Sequence, residues 1–361
     1  MELIQRPRPV TESSKLRCRY FVQAKESAAP IEWFPPSWGE TWGVDCRYFG
    51  LALAAMDRLL PASCTTPPLH VYVTWSCRSL PEYGAHVVVL LLGEEIGLVP
   101  RYVRHVRAVF KTMRLRPTLG SRTWWKVDQL TFLLWLKFAR NWTIHLRSRW
   151  QARFVPRHWP PRVKQRVEVF DVPLGYFLQE LVPQKTMAER WYHCFFAGQV
   201  VSGPLTLWRR FLPTPKACAR RKMLAMIQRL RQSEQRFRFD GGEVTDVQLG
   251  QHDYSQRLMN SKICLAPRGS VPDSFRFFEG LRAGCLVVCE PLTQEWFYAG
   301  APVIQIDDWN EFPHVIRPFL EDDAALEQAR LRSLQWWEQK CGEAAVGRAM
   351  ADYVAKANIR P

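Results

Sequence analysis

Largely apolar runs at 69–75 and 85–92, interrupted only by His70, Thr74 and His86, predict two buried parallel strands, because strands covered on both faces show little polar alternation. Residues 100–113 carry Val103, Val106, Val109, Phe110 and Met113 at helical spacing, with Arg101, Arg104, Arg107, Lys111 and Arg114 on other faces; this predicts an amphipathic helix. Strand followed by helix argues for an α/β layered first half. A second helix is expected at 130–146, apolar at first and then basic, and a short strand at 167–172 is broken by Pro173 and Gly175. Residues 1–65 read as Pro-rich and irregular apart from one helical stretch near 46–60. Beyond a linker at 173–189, strands are expected at 191–197, 237–239, 263–266, 285–289 and 302–306. Helices are expected at 217–232, 254–260, from about 310, and at 324–339 and 342–357, with Trp336 and Trp337 on one buried stripe.

The chain of 361 residues, 47% hydrophobic and 13% aromatic, is long enough for two globular domains with separate cores. No 18-residue apolar run occurs, and the first residues lack the apolar core of a secretion signal, so a cytoplasmic location is expected. Ten scattered cysteines form no disulfide framework and no Cys-x-x-Cys pair; Cys264, Cys285 and Cys289 fall in apolar strands as core residues. The eight histidines show no His-x-x-x-His spacing, so no metal site is expected.

Charge is concentrated in one segment. Residues 101–166 hold 17 Lys and Arg against the single acid Asp128, a formal +16 that equals the net charge of the whole chain. Trp124, Trp125, Trp135, Trp142, Trp150 and Trp159 interleave with them, joined by Phe132, Phe138 and Phe154. Arg, Lys and Trp together suit an anionic membrane surface or a lipid-linked acceptor. Nucleic acid, stacked on the aromatics, ranks behind it, as does a solvated basic face over a tryptophan core.

The segment from Cys264 to Val288 reads as strand, Gly-bearing loop, helix, small residue and strand. Asp273 or Ser274 can cap the helix, and Gly284 stands where a glycine stop belongs. A helix N-terminus at the carboxyl end of a strand offers free N–H groups to a phosphate, and Arg268 and Arg276 add full charge. Glu279, one turn deeper, suits sugar hydroxyls. Gly198, after the strand at 191–197, lets backbone approach a ligand or simply makes a tight turn. Arg209, Arg210, Arg220 and Arg221 read as a basic helix face that could add to a phosphate field. Asp307-Asp308 follows a strand and reads as a loop cap.

At these residues the sequence resembles a known family. Pro267-Arg268-Gly269, then Ser274-Phe275-Arg276-Phe277-x-Glu279-x-Leu281, then Cys285 and a Val-rich strand are similar to the donor-binding signature of exostosin-type glycosyltransferases. Tyr254, Ser261-Lys262-Ile263-Cys264-Leu265 and Phe195-Phe196-Ala197-Gly198 fit the same pattern, which spans roughly residues 190–310. The resemblance implies a GT-B fold: two Rossmann-like domains across a cleft, with a C-terminal helix crossing back. Residues 1–185 would form the acceptor side with its basic Trp-rich segment 101–166, residues 186–340 the donor domain, and 341–361 the returning helix. It also implies inverting sugar transfer from a nucleotide diphosphate donor, UDP type favoured, without metal or other cofactor. Gly198, Arg268, Gly269, Ser274, Phe275, Arg276 and Glu279 would bind the donor. An inverting transfer needs a general base, and Asp45, Glu94 and Glu95 of the first half are its candidates. The acceptor would be a glycan or lipid-linked glycan of a surface polysaccharide or lipopolysaccharide, reached at the inner face of a bacterial membrane. A nucleic-acid-binding protein and an inactive glycosyltransferase-fold assembly partner are the alternatives.

Overall fold

The computed structural model of the chain describes residues 17–23, 29–33, 35, 47–126, 128–154, 162–163, 169–177, 179–200, 213–242 and 250–357. Among them, strands gather into two sheets. The first contains β1 (Cys18–Gln23), β2 (Ile31–Glu32), β3 (Leu69–Thr74), β4 (Gly84–Leu91), β5 (Val106–Lys111) and β6 (Val169–Asp171). Its order is β2-β1-β3-β4-β5-β6, parallel throughout except for the antiparallel β2 edge. The second is fully parallel, order β11-β10-β9-β7-β8, built from β7 (Tyr192–Ala197), β8 (Phe239–Gly242), β9 (Ser261–Ala266), β10 (Leu286–Cys289) and β11 (Ile304–Gln305). Each of these two parallel-rich sheets, with its covering helices, forms one lobe of an α/β architecture.

The helices are α1 (Arg47–Leu59), α2 (Gln129–Gln151), α3 (Pro215–Ser233), α4 (Gln251–Met259), α5 (Phe275–Arg282), α6 (Phe312–Leu320), α7 (Asp323–Trp336) and α8 (Glu343–Lys356). A π turn, Trp337–Cys341, joins the last two. Helix α8 leaves the second lobe and packs on α1 of the first. Contact is close because Gly347 has no side chain: a Cβ there would stand 2.5 Å from Ala52 O and 2.8 Å from Met56 N. One apolar cluster runs through both lobes, from Val71, Leu90 and Phe110 past Tyr48, Tyr176 and Trp337 to Phe277 and Val287. The far face of sheet two packs separately on α3 and α6 through Met223, Ile227, Phe312 and Ile316.

Residues 100–113 do not form the expected helix. Arg101–Arg104 make a short 3-10 turn, and Val106–Lys111 form β5 with all six residues buried. Valine at 103, 106 and 109 satisfies a helical period, but Val106, Ala108 and Phe110 satisfy a strand period equally, and pairing with β4 and β6 decides between them. Two cations expected on a solvated face are buried in consequence: Arg107 donates to Cys64 O at 3.4 Å and Val354 O at 3.3 Å, and Lys111 lies within the sheet edge. Residues 1–65, expected to be irregular, also supply β1, which pairs in parallel with β3 along its whole length.

Polar links tie the lobes together. Arg114 Nη2 donates to both oxygens of Asp273 at 3.2 and 3.0 Å, and Trp296 Nε1 donates to Asp171 O at 2.8 Å. Burial, with Glu295 as a neighbouring negative charge, pushes the Asp171 carboxyl up to about 6.

Gly347→Ala is expected to destabilise the protein by about 1–3 kcal/mol, read from chemical denaturation, because the obstructing atoms are backbone. Asp171 holds its proton in the folded chain at pH values where the unfolded chain has lost it. Its contribution to stability therefore falls as pH rises from roughly 4, the ordinary value, to about 6. Asp171→Asn, which keeps the oxygen that accepts from Leu115 N, is expected to remove this decline and to gain on the order of 2 kcal/mol at pH 7; parallel denaturation series at pH 4 and pH 7 measure both.

Candidate active site

Loops leaving the carboxyl ends of both sheets converge on one cleft, whose main cavity measures about 230 Å³. The first lobe contributes Glu95 after β4, Met113 after β5, and Leu174 and Phe177 after β6. The second contributes Gln199 after β7, Lys216 and Arg220 from α3, and the loop between β9 and α5.

Helix α5 is the centre of this wall. Its N-cap, Ser274, has extended backbone (φ −144°, ψ 135°) and makes no side-chain cap. Ser274 lines the cavity, and its Oγ is buried with no hydrogen-bond partner among the described residues. The helix rides close on its sheet because of Gly280, where a Cβ would stand 2.8 Å from Cys264 Cβ and from Val287 Cγ2. Phe275 packs on Phe177 across the lobes at 5.4 Å between ring centroids. Glu279 is buried and held from two sides: Oε1 accepts from Phe177 N at 2.9 Å and Oε2 from Tyr254 OH at 2.6 Å. Glu279 lines the cavity from this fixed position.

The two arginines of the motif part company. Arg276 lines the cavity, with its Nε donating to Ala197 O and its guanidinium 5.2 Å over the Phe196 ring. Gly198 makes room for it, since a Cβ there would run into the guanidinium. Arg268 instead lies buried outside the main cavity, its Nε 3.7 Å from Glu290 Oε2 and its Nη1 donating to Gly120 O at 3.2 Å. Burial lowers its pKa and raises that of Glu290. The place beside Arg276 is taken by Arg220, which donates to Gln199 O at 2.5 Å, and by Lys216. Thr214 caps α3 by accepting from Ala217 N, so this helix also begins beside the cleft. Arg220 is thus a site residue that reads in the sequence as part of a helix face; Arg209 and Arg210 lie outside the described residues.

Among the acids proposed as base, Glu95 lines the main cavity and a smaller adjoining one next to Lys137 and Arg268. Burial drives the Lys137 ammonium down to about 8, with the Arg268 charge acting in the same direction. Glu94 is turned inward: its carboxylate accepts from Ile96 N, Gly97 N and Leu98 N at 2.7, 3.0 and 2.8 Å and pairs with Lys111 Nζ at 3.0 Å. Asp45 lies outside the described residues. Lys111 Nζ also donates to Met113 O at 2.7 Å and Arg114 O at 2.9 Å, and both of these residues hold positive φ (55° and 30°). Asp273 is held by Arg114 and by Tyr298 OH, which fixes the approach to α5. Asp308 caps the turn Trp309–Glu311 in a capping box.

No family model matches the chain. A 65-residue stretch is 38% identical to Exostosin-1b of Danio rerio, covering 18% of this chain and 8% of that protein. Exostosin-1 homolog of Caenorhabditis elegans is 39% identical over 64 residues, 18% of this chain and 15% of its own length. The matches therefore span a small part of these relatives. Two solved structures show weak likeness: the GtfA/B complex, with TM-score 0.42 and 11% identity over 77% of this chain and 58% of that one, and AviGT4, a glycosyltransferase involved in avilamycin A biosynthesis, with TM-score 0.36 and 12% identity over 94% and 96%. The chain thus carries an exostosin-like segment within an α/β architecture of two parallel sheets that face each other across a cleft.

Proposed function

We propose that this protein transfers a sugar from a nucleotide diphosphate donor, UDP type favoured, to a glycan acceptor with inversion at the anomeric carbon. The observation that carries this reading is the composition of the α5 wall. Arg276, Lys216, Arg220 and the N-cap residue Ser274 line one cavity at a helix start, and Glu279 stands one turn deeper. Positive charge and aligned N–H groups suit a diphosphate, and a fixed carboxylate suits ribose hydroxyls. In the reaction, the acceptor hydroxyl attacks the anomeric carbon and the glycosidic bond to phosphate breaks with its electron pair moving to the diphosphate. The cationic wall neutralises that charge, the task a divalent metal performs elsewhere, so transfer is proposed to be metal-independent. Glu95, on the opposite lobe, takes the hydroxyl proton.

The acceptor is proposed to be lipid-linked and met at an anionic membrane surface. Helix α2 buries Leu133 and Leu134 near its start, but its second half is turned inside out. It buries Asn141, His145 and Ser148, with His145 Nδ1 donating to Gly97 O at 2.7 Å and Ser148 Oγ accepting from Val99 N at 3.0 Å. To solvent it turns Phe132 (57% exposed), Trp135, Trp142 and Trp150 (60% exposed), together with Arg140, Arg147 and Arg149. The rings form a continuous ladder from Trp124 through Trp135, Phe138 and Trp142. An exposed aromatic strip flanked by arginines matches the headgroup zone of an acidic bilayer in shape and charge. No helix among the described residues is long and apolar enough to cross a membrane, so α2 would lie in the interface plane.

Glu95→Gln is expected to lower kcat for transfer at least 100-fold with the donor Kd unchanged, whereas Arg276→Ala and Lys216→Ala are expected to weaken donor binding at least tenfold. Calorimetry with UDP, GDP and their sugars, followed by product analysis, reads both; wild-type protein that binds none of them would overturn the reading. Sedimentation with phosphatidylglycerol vesicles is expected to carry down the wild type and to lose Trp142→Ala/Trp150→Ala by at least tenfold in partitioning. Equal recovery on neutral and acidic vesicles, or an unaffected double variant, would reject the membrane contact.

A further inference from the structure

At the end of the first sheet remote from the cleft, the fold gathers His70 at the start of β3, His86 near the start of β4, and Glu82 in the connection between them. His70 Nδ1 stands 2.7 Å from Glu82 Oε2, and His86 Nε2 stands 2.5 Å from Glu82 Oε1. The two imidazole rings meet edge to face at 5.3 Å, and the ligating atoms of all three side chains lie within 4.8 Å of one another. We propose that His70, Glu82 and His86 form a binding site for a divalent transition ion of the zinc class, separate from the sugar-transfer chemistry.

Two neutral imidazoles and one carboxylate form a three-ligand set that such ions accept, leaving a fourth position for water. Tetrahedral bonds of about 2.0–2.1 Å place ligand atoms roughly 3.3 Å apart, so the two His–Glu82 contacts of 2.7 and 2.5 Å must each open by under about 1 Å to receive the ion. Support from behind is already in place. Tyr72 OH donates to Glu82 Oε2 at 3.1 Å, and Phe21 packs on both Tyr72 and His70, with ring centroids at 5.0 and 5.4 Å. Outer contacts of this kind orient ligands at metal sites. Arg19, the register partner of His70 on β1, is engaged by both oxygens of Glu32 at 2.9 and 3.1 Å. All three ligand side chains are partly exposed, which leaves a path from solvent.

The position gives the ion a task. Strands β3 and β4 are adjacent and parallel, yet residues 75–83 return from the end of one to the start of the other without a helix. That connection supplies Leu80 and Tyr83 to cover one face of the sheet. An ion held by His70, Glu82 and His86 pins the last turn of the connection to both strands. His86 lies five residues before the end of β4, roughly 17 Å of strand rise from the cleft, so the ion would act on stability rather than on transfer.

Full-length protein stripped with a chelator, then titrated with Zn²⁺ against a chromophoric chelator, is expected to take up one equivalent that survives competition. His86→Asn and Glu82→Gln are each expected to weaken this uptake at least tenfold, and Zn²⁺ is expected to raise Tm by several degrees in the wild type but not in His70→Asn/His86→Asn. Nine cysteines among the described residues are free and most are buried, so uptake unchanged in the double histidine variant would assign the ion to thiols and overturn the proposal, as would absence of uptake. Circular dichroism and UDP binding of the double variant, both expected to match the wild type, separate loss of this site from loss of the fold or of the donor cleft.

Discussion

The buried ammonium of Lys111 is the constraint on which the rest of the cleft depends. It sits at the end of β5 with no exposure to solvent, and a charge so placed persists only when its donors are satisfied. Lys111 meets that demand with the Glu94 carboxylate and with backbone oxygens of Glu94, Met113 and Arg114. Those carbonyls are available because Met113 and Arg114 adopt a left-handed backbone that non-glycine residues otherwise avoid. The turn sends the Arg114 side chain across the gap to Asp273, and Asp273 stands immediately before the cap of α5. One charge thus shapes the edge of the first sheet and, through a single guanidinium, sets the helix start on the second.

The same pair settles which of two adjacent carboxylates faces the ligand. Glu94 is drawn inward by Lys111 and by three backbone amides, so its neighbour Glu95 turns to the cavity. Buried ion pairs add little net stability, but removing one partner leaves an uncompensated charge, which makes the arrangement hard to alter piecemeal. Selection of a reactive group by occupying its neighbour also operates at Arg268 and Arg276. Glu290 and Gly120 engage the first arginine, and the second remains at the cavity wall.

The strand, loop and helix of 261–282 are legible in the sequence because every local signal agrees: an apolar strand centre at 263–266, Pro and Gly punctuation, a Ser at the cap and Gly284 at φ 70° past the end. Strand β5 is not legible, since its valines and cations satisfy two periods at once and only sheet pairing chooses. Helix α2 is legible as a helix but not in its orientation. Its apolar residues lie all around, and the burial of His145 and Ser148 follows from an acceptor and a donor on the distant loop 97–99. The role of Arg220 is hidden for a similar reason: its place on α3 says nothing about Gln199, which it meets only when β7 and α3 pack together.

The chain crosses between the lobes along residues 172–190 and again through the π turn Trp337–Cys341. On one side of that turn α7 is fastened to the second sheet, where Ser333 Oγ donates to Cys285 O at 3.0 Å; on the other, α8 is fastened to α1. Tyr48 OH donates to Cys341 O at 2.6 Å, so the wide turn is gripped at its far end by the first lobe. Any change in jaw angle at this crossing must therefore be absorbed within a few residues of under-wound backbone that already lack regular α-helical bonding, which makes this short stretch one pivot of the molecule.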